Sequence, residues 1–140
     1  MPSIKNKWVR PGSSFNYTEG VRVKNATAGT LNKNTVLAVT GAVGGVATVE
    51  YAVGLTVLQT GMILICAHEI PAGEYGVGRP WMIIADVNTA AFALNQDLLL
   101  DGANGTWSAA GAGAGSRPVA RVIKVGLTDG IVIAGQEISS

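Results

Sequence analysis

Charge is what this sequence has least of. Only 14% of its 140 residues are charged, against about 25% in typical soluble domains, while hydrophobic residues make up an ordinary 48%. A surface so short of solvating groups suits a subunit covered by its neighbours better than a free monomer. Cysteine is nearly absent too. The single Cys66 excludes an internal disulfide and, within an apolar run, reads as a small buried hydrophobe. The single histidine, His68, joined to one cysteine cannot supply the three or four ligands a structural metal site requires within one chain. Long apolar runs are missing as well. The longest, Met62 to Ala67, is far too short to span a bilayer, and Lys5, Lys7 and Arg10 are not followed by the apolar core of a signal peptide. No membrane association is expected.

The net charge of +1 gives no reason to expect nucleic-acid binding. Its distribution is uneven. Residues 1–33 carry Lys5, Lys7, Arg10, Arg22, Lys24 and Lys33 against one acid, Glu19, whereas residues 50–101 carry six acids, Glu50, Glu69, Glu74, Asp86, Asp97 and Asp101, and one base, Arg79. A basic amino end and an acidic middle suit head-to-tail packing or docking on an acidic surface.

The motifs that carry chemistry are equally scarce. Gly111, Gly113 and Gly115 resemble a nucleotide-binding loop only superficially. Phosphate binding needs a glycine turn leading into a helix amino terminus, and here Arg117-Pro118 and a strand follow instead. No serine sits in a GxSxG turn, since Ser13, Ser14, Ser108 and Ser116 fall in loops. Asp97 and Asp101 flank a short strand as turn residues rather than as a carboxylate pair in a cleft. Asn16-Tyr-Thr18, Asn25-Ala-Thr27 and Asn104-Gly-Thr106 match the glycosylation pattern, but without a secretion signal they carry no such meaning. Asn104-Gly105 reads better as a hairpin turn, both residues tolerating positive φ. The expectation is therefore a protein that is not an enzyme, with no cofactor.

What is present is β structure. Residues 1–13 form an extended arm holding Pro2, Pro11, Gly12, three positive charges and Trp8. Such a segment builds no core of its own, and Trp8 either tucks against its own domain or anchors in a partner's groove. After it come β-branched runs separated by turn residues. These are Phe15 to Val23 with a broken period of two, Thr35 to Thr40, Val46 to Leu58, Met62 to His68, Pro80 to Asp86, Leu98 to Asp101, Val119 to Val125 and Ile131 to Ala134. Gly41 to Gly45, Ile70 to Glu74 and Asp101 to Gly105 read as turns. Short strands at this spacing indicate a sandwich or barrel. One helical turn or two are allowed at Asn88 to Asn95, where an Asn or Thr cap precedes good helix formers. Residues 108–116, SAAGAGAGS, read as a surface loop. The fold class is all-β, a small barrel or β-tulip-like domain over residues 14–140, with an N-terminal arm over 1–13 and at most one short helix.

The order of these pieces resembles the family of small phage head proteins known as capsid decoration or cement proteins. Trp8-Val-Arg-Pro-Gly12 and Ser14-Phe-Asn-Tyr-Thr18 look like its opening segment and first strand, and Ala28 to Leu37 like its next turn and apolar strand. Ile70 to Gly76 with Arg79 to Ile84 is similar to its middle hairpin. Ala93 to Asp101, Gly105-Thr-Trp107 and Pro118 to Ile123 look like its closing part. The segment 41–61 is longer than the family pattern, as an extra hairpin or distal loop would be. The resemblance implies a structural virion protein, made in the host cytoplasm and carried on the outer capsid surface, where it stabilises the head. Its expected partners are the major capsid protein and further copies of itself, as a homotrimer. The contact residues expected on the arm are Lys5, Lys7, Trp8 and Arg10. The alternative is a carbohydrate- or surface-binding β module using Trp81 and Trp107 as aromatic platforms.

Overall fold

The structure, a computed structural model, describes residues 20–52, 62–101, 104–111 and 116–135. Within them the chain makes ten strands and no helix. Strands β1 (Val21–Asn25), β2 (Val36–Val43), β3 (Val46–Tyr51), β4 (Ile63–Cys66) and β5 (Tyr75–Arg79) close into a barrel in the order β1-β3-β2-β4-β5. Strands β6 (Trp81–Val87), β7 (Asp97–Leu100), β8 (Trp107–Ser108), β9 (Pro118–Lys124) and β10 (Gly130–Gly135) form a second, open sheet in the order β6-β10-β9-β7-β8. All pairings are antiparallel except β1 with β3.

Two apolar clusters hold this arrangement, and alternation along the strands divides residues between them. Inside the barrel lie Val23, Leu31, Leu37, Val49, Leu64, Cys66 and Ile70. Between the barrel and the second sheet lie Val36, Ala38, Ile63 and Ile65 from one side, and Met82, Ile84, Leu98, Leu100, Val119, Val122 and Val132 from the other. Strands β2 and β4 are thus the shared wall, with neighbouring residues facing different cores. That is why Ile63-Leu-Ile-Cys66 is apolar without a break: all four are buried, as a strand covered on both faces requires.

A five-stranded barrel leaves little interior room, and β5 meets that limit with glycine. Its sequence, Tyr75-Gly-Val-Gly-Arg79, alternates large outward residues with inward glycines. A Cβ on Gly76 would strike Ile70, and one on Gly78 would press on Leu64. This strand escapes a search for apolar alternation because the inward member of each pair has no side chain. One end of the barrel is closed by reciprocal backbone bonds between Leu31 and Ile70, both 2.9 Å.

Turns tie the halves together. Asn104 (φ 51°) and Gly105 (φ 67°) adopt the positive-φ pair expected of them. The Gly105 carbonyl accepts from the Val36 N–H at 2.7 Å, docking this turn on β2. The β2–β3 turn is tighter than Gly41 to Gly45. Strand β2 runs to Val43, and Gly44 and Gly45, both at positive φ, make the turn alone. Residues 41–51 are thus a hairpin of the barrel, while residues 53–61 lie outside the described set.

The segment 88–95 forms turns, not a helix. Asn88 spends its side chain on the Ala90 N–H (3.0 Å), Thr89 donates its hydroxyl to the Lys124 carbonyl (2.7 Å), and Asn95 adopts φ 68°. Asn and Thr side chains that bond backbone locally compete with helix formation, and here those bonds pin the segment to β9.

Candidate interaction surface

Alternation in the second sheet assigns Met82, Ile84, Val122, Val132 and Leu98 to the core and turns their neighbours outward. On β6 the outward residues are Trp81, Ile83 and Ala85, all exposed, with Ile83 at 54%. On β10 they are Ile131 and Ile133, half-buried, and on β9 Arg121 and the exposed Ile123. The register places Ile83 beside Ile133, Ile133 beside Arg121, and Arg121 beside Asp97 in one row across four strands. Trp81 lies opposite Gly135, which has no side chain to cover it. The outer face is therefore apolar over β6 and β10 and closes on an ion pair, Arg121 Nε to Asp97 Oδ1 at 2.7 Å. That bond pushes the Arg121 guanidinium pKa up.

The composition of these strands matters as much as their exposure. Trp81-Met-Ile-Ile-Ala85 and Ile131-Val-Ile-Ala134 are continuous apolar runs like Ile63-Leu-Ile-Cys66. The last is covered on both faces. The first two have one face fully covered by the described residues, the other being exposed on β6 and half-buried on β10. An antiparallel sheet with one wet face ordinarily alternates apolar with polar, and contiguous apolar surface on a soluble domain marks an interaction site.

The barrel carries a smaller patch of different character. Arg22 stacks 4.3 Å over the centroid of the exposed Tyr75 ring, and the Lys24 ammonium lies 5.7 Å from it. Such cation–π contacts at exposed sites are each worth about 0.5–1 kcal/mol.

The other residues marked in the sequence find structural roles. Cys66 is buried inside the barrel and donates its thiol to the His68 carbonyl at 3.0 Å. Burial pushes that thiol's pKa up, against a smaller opposite effect from the hydrogen bonds. His68 lies past the end of β4. Its Nε2 accepts the Val77 N–H (3.1 Å), which leaves Nδ1 as the donor to the Glu69 carbonyl (3.0 Å). The two side chains therefore do not converge. Among the described residues no group of three or more His, Cys, Asp or Glu is placed to hold a metal ion. Asn25 is buried, its Nδ2 donating to the Gly29 and Ile70 carbonyls and its Oδ1 accepting from Thr27. Trp107 is half-buried against the inter-sheet core. It sits on β8, at the opposite edge of the sheet from Trp81 on β6, roughly four strand spacings or about 19 Å away. The two tryptophans do not share a platform. Lys5, Lys7, Trp8 and Arg10 lie outside the described residues, as do residues 112–115 of the glycine-rich loop.

No protein-family model, no curated protein and no solved structure matches this chain.

Proposed function

We propose that this protein is a structural subunit of a phage head, binding the outside of the capsid and reinforcing it as a decoration or cement protein. The observation that carries the proposal is the mismatch between composition and cover on the second sheet. Strands β6 and β10 have the sequence of strands buried on both faces, yet among the described residues the outer face of β6 is exposed and that of β10 only half-buried. Removing apolar area from water stabilises by about 25 cal/mol per Å², so a face of this kind favours association. Self-association through it builds a trimer, and the low overall charge is compatible with a surface that neighbours cover.

Capsid attachment then falls to the basic arm. Lys5, Lys7 and Arg10 meet acidic side chains of the major capsid protein, and Trp8 supplies an apolar anchor. Three arms per trimer multiply weak contacts through effective concentration. Binding of the full chain and of a form lacking residues 1–13 to cognate expanded heads tests this. The full chain binds, with affinity falling as salt rises, and the truncated form stays folded but does not bind. Equal decoration by both forms refutes the arm's role. Absence of binding by the full chain at low salt refutes the capsid reading itself.

A further inference from the structure

A ring of three constrains what can cover the outer face of the second sheet. A surface packed on its own copy makes a twofold pair. A threefold ring requires two different surfaces of the chain, each meeting the other around the ring. The face over Trp81, Ile83, Ile131 and Ile133 is one of them. Its counterpart must be a second exposed apolar surface without charges, since a charge buried without a partner is costly.

The hairpin of β2 and β3 has these properties. Strand β2 pairs with β4 only from Val36 to Ala38, and Val39 adds one bond, to the Met62 carbonyl at 3.1 Å. Strand β3 pairs with β1 only from Ala47 to Val49. Among the described residues, the ribbon from Thr40 to Val46 therefore has no strand beside it except its own other arm. A bulge marks where it leaves the barrel. The register shifts between Val39 and Gly41, and the Thr40 hydroxyl stands 3.0 Å from that of Thr48. Bulges bend a strand at a barrel rim. Thr40 to Gly45 are all exposed, and a Cβ built on Gly44 or Gly45 meets nothing within 4 Å, so the tip stands clear of the domain.

The ribbon is also apolar. Val43, 52% exposed, lies directly opposite Val46, and opposed residues share a face. Met62, at 62% exposed, borders the base. No charged residue occurs between Lys33 and Glu50. Other exposed apolar residues lack this freedom from charge. Tyr75 lies under Arg22 and Lys24, and Val125 and Leu127 lie between the ion-paired Lys124 and Asp129. A two-stranded ribbon is marginally stable alone and gains support by docking. It is two strands wide, as is the bed formed by β6 and β10.

We infer that the ribbon 40–46 of one copy packs through Val43 and Val46 on the Trp81, Ile83 and Ile133 face of the next copy, closing a head-to-tail ring. The inference rests on the proposal that this face joins subunits, and it names the surface that the face receives. Light scattering on Val43→Lys, on Ile83→Lys and on their equimolar mixture tests it, with the wild type alongside. Each variant alone should have the mass of one chain. The mixture should yield a species of two chains, because the intact ribbon of Ile83→Lys fits the intact face of Val43→Lys while the ring cannot close. That recovery also shows both variants to be folded. A Val43→Lys protein that stays assembled while Ile83→Lys dissociates overturns this inference and leaves the face in place. A mixture that remains single chains at high concentration overturns it too. A wild type of single-chain mass refutes the role of the face itself, and this inference with it.

Discussion

Alanine at Gly105 tests how the two halves of the fold are joined. Gly105 sits at φ 67°, and a Cβ there would run into the Val36 carbonyl and lie 2.9 Å from the Val36 nitrogen. The backbone bond from Val36 N–H to the Gly105 carbonyl, 2.7 Å, runs through the same contact. Two costs therefore add. The left-handed conformation costs a residue with a Cβ about 1–2 kcal/mol. Pushing the turn off β2 loses that hydrogen bond and leaves buried groups unsatisfied, about 1–3 kcal/mol more. The expected loss is about 2–5 kcal/mol, a large share of the 5–15 kcal/mol typical of a domain. Gly45 is the internal control: its φ is 82°, but a Cβ there meets nothing within 4 Å. Gly45→Ala should lose only the conformational part, about 1–2 kcal/mol. Urea denaturation of the wild type and both variants measures the two losses. Equal losses for the two variants would refute the claim that the Asn104-Gly105 turn locks the sheet to the barrel.

Four other outcomes follow from the geometry. Leu64→Ala and Ile65→Ala, neighbours facing different cores, should each cost about 2–5 kcal/mol; a negligible loss in either denaturation curve would mean that β4 is not the shared wall. Cys66 should resist thiol reagents in the native state and react once the chain is unfolded. Because burial raises the folded thiol above its ordinary 9.0, its contribution to stability is complete below that value and is lost as pH rises through the folded value; stability that is flat across this alkaline range contradicts the burial. At the other end of the scale, the Lys124–Asp129 bond of 3.0 Å holds the Asp129 carboxyl below its ordinary 3.8. That pair contributes above 3.8 and its contribution disappears as pH falls through the lowered value. A carbon-13 titration should find the Asp129 carboxyl titrating low in the wild type and normally in Lys124→Met; identical curves would discard the pairing.

Much of the fold could be read in the residues, and what could not has physical causes. Strands such as Val119 to Val125 and Ile131 to Ala134 announced themselves through β-branched residues bounded by turns, and the structure places β9 and β10 there. Strand β5 was hidden because glycine marks its inward positions, a consequence of barrel size that no local pattern states. At 88–95 propensity allowed one or two helical turns; long-range bonds between Thr89 and both Lys124 and Gly126 decided against them. Nor was the division into a five-stranded barrel and an open sheet legible, since strand order depends on pairings far apart in sequence. For the interaction surface, Ile83, Ile131 and Ile133 lay within runs read only as strands, and the register is what shows that their side chains share an outer face. The signal was nonetheless present as unbroken apolar runs in strands that need only one dry face.

The proposal that this outer face joins subunits is tested most directly by the mass of the protein in solution. Light scattering of the full chain over a wide concentration range should give about three times the 14.3 kDa of the chain. Ile83→Lys, which places a charge on the apolar face without touching the core, should change folding stability by no more than about 0.5 kcal/mol and reduce the mass to that of one chain. A single-chain mass for the wild type throughout, or a trimer that Ile83→Lys leaves intact, would contradict the account.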